Sequence, residues 1–272
     1  MVAALRSVRL RRGLLGLLTL AALYGLTAQI ASGRLPTTVY MAPHEIEGVE
    51  LLPTYPSLAE EAVFLARSGI LQSSIAVSAG RVLAGLLLGS AVGITLGIGM
   101  GWAARLEYAL EPWVVLLRFT PALALLPLYV LWFGLGEPSK VGLIATAVAI
   151  ITLQGAHLGV RGIPHVYLDV AAAMAAPRLL VLRRVVLPAA LPQILASVRI
   201  SVALAWVTAM VAELIKPTMP SLGYLVALAG AYPRVPTIVV ALAAMAVLVL
   251  VSDGLMLGAY RWGTRWMRTQ HG

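Results

Sequence analysis

Residues 77–101 read VSAGRVLAGLLLGSAVGITLGIGMG, 25 residues in which Arg81 is the one charged side chain. A bilayer core about 30 Å thick is crossed by about 20 helical residues, so this run is long enough to span it. Gly85, Gly89, Gly93, Gly97 and Gly101 recur every four residues, which stacks them on one helical face where another backbone can approach closely. The spacing leaves two readings open: helix packing inside one subunit, or a seam beside a transport path.

Five further apolar runs cover 13–31, 112–133, 141–160, 194–215 and 237–260. The fold expected is all-α and integral to the membrane, with about six transmembrane helices in one domain over 13–260. Basic ends flank it at 1–12 and 261–272. Arg6, Arg9, Arg11 and Arg12 before the first run have the look of a signal peptide. Its length and the lack of a small-x-small cleavage site favour a retained helix.

The composition fits a lipid solvent. Of 272 residues, 60% are hydrophobic and 11% charged, against roughly 25% charged in soluble domains. The absence of Cys excludes disulfides, thiolate metal sites and Cys nucleophiles. His44, His157, His165 and His271 lack metal-ligand spacing, so no metal site is expected.

A net charge of +9 invites a nucleic-acid reading, but the distribution of the cations explains it without one. With the N-terminus inside, 12 of the 20 basic residues fall in inside segments and 5 outside. The positive-inside rule then puts both termini in the cytoplasm. Outside, 32–76 contains four prolines and then an amphipathic helix from Ser57 to Arg67, with Ser57 as its N-cap. Inside, the loop 161–193 is the longest, yet too short for a catalytic domain.

Within that loop, residues 169–188 read DVAAAMAAPRLLVLRRVVLP. The Ala-rich half favours helix and offers little bulk, which permits close docking of a partner. Arg178, Arg183 and Arg184 supply cations, and Pro188 and Pro192 allow a turn before the fifth span. An amphipathic loop resting on lipid headgroups would show the same features.

The stretch resembles the E-A-A motif in permease subunits of binding-protein-dependent ABC importers, where an acidic-Ala-Ala start is followed by Gly-Ala and, later, Leu-Pro. Asp169 stands where the motif has Glu, Ala175 where it has Gly, and Leu187-Pro188 match its end. The resemblance assigns ATPase coupling to Asp169, Ala171, Ala172, Ala175, Ala176, Arg178, Leu187 and Pro188. Other segments resemble the nitrate, taurine and aliphatic sulfonate group: AGRVLAG at 79–85 with Leu88-Gly89, PALALLPL at 121–128, LWFGLGE at 131–137 with Lys140, and Ala212-Glu213 with Leu222-Gly223-Tyr224. The match runs from about Leu52 to the C-terminus. It departs at 37–52 and in the fourth span, where Ala149-Ile150-Ile151 replaces an aromatic-proline pattern.

The resemblance implies a type I ABC importer permease fold in a bacterial inner membrane, with two permease copies enclosing one path. It also implies a separate ATPase subunit holding ATP and Mg, and a periplasmic or lipid-anchored binding protein delivering a small anion such as a sulfonate, taurine or nitrate. This chain has no G-x-x-x-x-G-K-[ST] of its own. Two rivals are weaker. A membrane-embedded enzyme needs a nucleophile, acid and base that are not visible, and a secondary transporter or channel working without an ATPase more typically carries midplane ionisable residues and internal repeats.

Charges inside spans are costly and need a reason. Arg118, just before Pro121, either snorkels to the inner interface or faces the path and attracts an anion. Glu213 and Asp253 face the same choice, and Arg118 with Glu213 are the candidate path residues. Arg81 and Arg199, near span ends, are expected to snorkel.

Overall fold

The computed structural model describes residues 55–265 except 216, 218, 219 and 233. The expected first span 13–31, its basic flank and 266–272 lie outside the described residues. Helix α1 (Tyr55–Arg67) begins two residues before Ser57, which therefore sits inside the helix instead of capping it. At Gly69 the chain turns into α2 with φ of 75°, a left-handed conformation that glycine adopts without penalty.

Helix α2 (Ile70–Trp102) has 33 residues, roughly 50 Å of helix, and so projects well beyond a hydrocarbon core. The run 112–133 proves to be two helices rather than one. Helix α3 (Ala104–Phe119) stops at Thr120, and a 3₁₀ turn (Ala122–Leu125) leads into α4 (Leu126–Phe133) after a bend of 97°. Pro121 is the cause: its ring pushes Thr120 into an extended conformation, φ −83° and ψ 120°, and it has no N–H to continue the ladder.

Helix α5 (Glu137–Arg161) follows, then α6 (His165–Ala173), α7 (Arg178–Ile215), α8 (Leu222–Ala231) and α9 (Val235–Gly263). Among the described residues, four helices (α2, α5, α7 and α9) are long and apolar enough to cross a membrane, and the bent α3–α4 pair makes a fifth if counted as one span. The packing supports that count. Along α2, Gly85 faces Ile144, Gly93 faces Ala149, and Gly101 faces Val160, so α2 and α5 run parallel. The chain between them leaves α2 near Gly101 and re-enters α5 beside Arg81, a return of roughly 30 Å along the helix axis.

The glycine stripe lies against α5 inside the protomer. A Cβ on Gly97 would stand 2.8 Å from Ala156 Cβ, and one on Gly101 2.6 Å from Val160 Cβ. Without side chains the two backbones come close enough for Thr152 Oγ1 to lie 3.4 Å from the Gly89 carbonyl. Helix α7 packs antiparallel on the same pair, with Ser197 beside Gly155 and Ala190 beside Gly159. Val82, Ile144, Val148, Val202, Ala205 and Trp206 form the core between the three.

Candidate functional site

The connection from α5 to α7 closes one end of the bundle. Ala171 on α6 is buried, and with partly buried Leu168 and Ala176 it packs on Val160, Val186 and Ala190. The opposite side of α6 is open. Val166, Tyr167, Val170 and Met174 are 55–76% exposed, and Asp169 and Ala172 are exposed beside them.

Helix α6 ends in a tight turn at Ala175, whose φ is 49°. The Ala176 N–H donates to the Ala171 carbonyl at 3.0 Å and the Ala175 N–H to the Ala172 carbonyl at 2.9 Å. This is the paired C-terminal bonding usually built on glycine. The turn therefore forms although alanine occupies the glycine position. Arg178 opens α7, and Arg183 and Arg184 are exposed on a π turn over Leu182–Val186. Leu187 is half-buried and Pro188 exposed. Pro188 and Pro192 do not turn the chain, contrary to expectation, because the π turn widens the helix where the Pro188 ring would meet the preceding turn.

At the other end of the bundle lies a buried ionic cluster. Arg81 is 4% exposed; its Nη1 donates to Glu213 Oε1 at 2.7 Å, and its Nε and Nη2 reach the Glu137 carboxylate at 2.6 and 2.5 Å. Glu213, 1% exposed, also accepts from Ser78 Oγ and from the Gly223 N–H, each at 2.9 Å. Ser78 Oγ in turn accepts the Leu222 N–H at 3.0 Å. The N-terminus of α8 thus rests on a carboxylate, where free N–H groups favour an anion. A Cβ on Gly223 would lie closer to Glu213 Cβ than real side-chain atoms approach, so glycine lets the chain come this near.

These contacts correct the expectations for Arg81, Glu213 and Arg199. Arg81 does not snorkel; it sits about 11 residues into a helix that overshoots the bilayer, and there it meets two carboxylates. Glu213, at 1% exposure, has no surface left for a passing solute in this protomer. Lys140, in the first turn of α5, is buried near them. Arg199 likewise pairs with Asp253, at 2.7 Å through both nitrogens, and joins α7 to α9.

Arg118 is exposed, its guanidinium 5.1 Å from the Phe119 ring centroid. It opens onto a cavity of about 170 Å³ between α3 and α5. At the far end of that cavity Glu107 pairs with Arg161 and stands 3.4 Å from His157 Nε2.

Residues 85–269 match the family described as binding-protein-dependent transport system inner membrane component. The chain belongs to that family. A probable ABC transporter permease of Brucella melitensis is 35% identical over 80% of this chain and 89% of that protein. The taurine transport system permease TauC of Escherichia coli is 33% identical, over 88% and 84%. The aliphatic sulfonates permease SsuC of Bacillus subtilis is 31% identical, over 82% and 80%. Among solved structures, a chain of the inward-facing MetNI methionine ABC transporter superposes with a TM-score of 0.65 at 17% identity, covering 72% of this chain and 96% of that one. An amino acid ABC transporter gives 0.63 at 14%, covering 78% and 99%. The fold is that of type I ABC importer permeases, and the chain is a multi-pass membrane protein.

The permease carries two groups that sequence reasoning passed over. Val166, Val170 and Met174 recur every four residues and could have been read as a stripe on α6. The ionic cluster left a weaker trace, since Arg81 and Glu213 lie 132 positions apart. The strained Ala175 gives a direct prediction. Ala175→Gly removes a left-handed Cβ and is expected to stabilise the permease by ~0.5–1 kcal/mol, read as a higher midpoint of thermal unfolding in detergent. A lowered midpoint would show that contacts of the Ala175 methyl outweigh its backbone strain.

Proposed function

We propose that this permease is the transmembrane subunit of an ATP-driven importer that takes a small anion-bearing solute, of the sulfonate or taurine type, from an external binding protein. Two copies form the path, and both termini lie in the cytoplasm of a bacterial inner membrane. ATP and Mg are held by a separate ATPase subunit that docks on α6. The taurine and sulfonate names of the relatives support the solute class.

The observation that carries the reading is α6 itself. A short helix between two spanning helices, with Val166, Tyr167 and Val170 exposed and Met174 exposed at its C-cap, buries its other face and has an outer apolar face suited to a partner. The basic residues around it support an inside position for that end. Closure of the partner ATPases would then displace α6 and rock the helices between two access states.

The test is reconstitution of the permease with the ATPase and binding protein of its own transport system. Binding protein loaded with taurine or an alkanesulfonate should raise ATP hydrolysis severalfold and drive solute into the vesicles. Uptake that proceeds in vesicles lacking the ATPase would overturn the reading in favour of a transporter working alone.

A further inference from the structure

Two charges of opposite sign face the α3–α5 cavity without an ion-pair partner among the described residues. Glu111 and Arg118 are both exposed on α3 and both line it, together with Gln154 and His157. Glu107, also on the wall, is already neutralised by Arg161. The cavity therefore presents one open carboxylate and one open guanidinium. Ionisable groups in a span are expensive, and those left without a partner in the protein mark a functional path by default.

Glu111 and Arg118 are seven residues apart, two helical turns and roughly 10 Å of rise, and so share one face of α3. Helical side chains lean toward the N-terminus, which brings the Arg118 head down toward Glu111. His157 Nδ1 is buried with no hydrogen-bond partner among the described residues, so a polar occupant would satisfy a group that is otherwise unmet. A volume near 170 Å³ is below the roughly 300–1,000 Å³ of sites for drug-sized ligands and suits a solute of few atoms.

We infer that this cavity is a subsite for a small zwitterion, with Arg118 holding its anionic group and Glu111 its ammonium. The inference rests on the importer reading above. A solute with only an anionic group meets attraction from Arg118 and repulsion from Glu111. One that also carries an ammonium satisfies both charges. The permease itself thereby prefers an aminosulfonate to a plain alkanesulfonate, in addition to any choice made by its binding protein.

The test measures uptake of taurine and of ethanesulfonate by vesicles holding the complete transporter, with the binding protein unaltered. Glu111→Gln is expected to shift the taurine to ethanesulfonate ratio at least tenfold against taurine, with Glu111→Asp restoring part of it. Arg118→Gln is expected to lower uptake of both at least tenfold. A ratio that stays at the wild-type value in Glu111→Gln, or a loss of both solutes in equal proportion, overturns the subsite. Wild-type vesicles that take up neither solute overturn the solute class first, and the subsite with it. Yield and unfolding midpoint in detergent identify a variant that has merely failed to fold, in which case Glu111→Asp and Arg118→Lys decide by the same ratio.

Discussion

With Val170→Glu or Ala172→Glu in the permease, ATP hydrolysis in reconstituted vesicles is expected to stay at its unstimulated rate however much loaded binding protein is added. Val170 is 55% exposed, and neither residue supports the interior of the protomer. Insertion and folding should therefore be normal. Seating the α6 face in a partner would strip water from the new carboxylate, at a cost of ~3 kcal/mol, or about a hundredfold in docking. Ala171→Glu is the contrast. Its side chain enters the cluster with Val160 and Ala190, so it is expected to lower the unfolding midpoint as well as the activity. Stimulation that survives in both Val170→Glu and Ala172→Glu would remove α6 from the coupling path.

The second large effect belongs to the ionic cluster. Glu213→Ala takes from buried Arg81 its one fully buried carboxylate among the described residues, the Glu137 carboxylate being 58% exposed, and withdraws the acceptor from Ser78 Oγ and the Gly223 N–H. Removing one member of a buried charge pair costs roughly 3–5 kcal/mol, so the variant is expected to unfold well below the parent in detergent. The double variant Arg81→Met with Glu213→Leu removes both charges and should recover part of the loss. A single variant as stable as the parent would show that the pair contributes nothing to the packing of α8 on α2.

Hydropathy exposed the runs that α2, α5, α7 and α9 occupy, because lipid imposes length and composition on every crossing helix. The glycine spacing was equally plain, although it could not say which helix it met. What escaped was direction and pairing. The 97° bend between α3 and α4 arises at one residue pair, Thr120-Pro121, inside a run that is apolar on both sides of it apart from Arg118. Arg81 looked like a snorkelling end residue only because its partners come from α5 and α7, and no local pattern announces contacts at that separation. Ala175 hid its turn for the opposite reason. An alanine gives no sequence sign of a positive φ, and only the hydrogen bonds around it reveal one.

The close seating of α2 on α5 also bears on how force travels. From Gly85 to Gly101 the backbone of α2 lies directly on α5, against its backbone and the short or β-branched side chains of Ile144, Val148, Thr152, Ala156 and Val160, so little between the helices can yield to absorb a displacement. On that packing the pair is expected to act as a single stiff pushrod roughly 24 Å long. Ala171 bolts α6 to one tip of it through Ala156 and Val160, and Arg81 clamps Glu137 at the other. A shift of a few ångströms imposed at the first tip therefore arrives at the second almost undiminished, before any bond in between has to break.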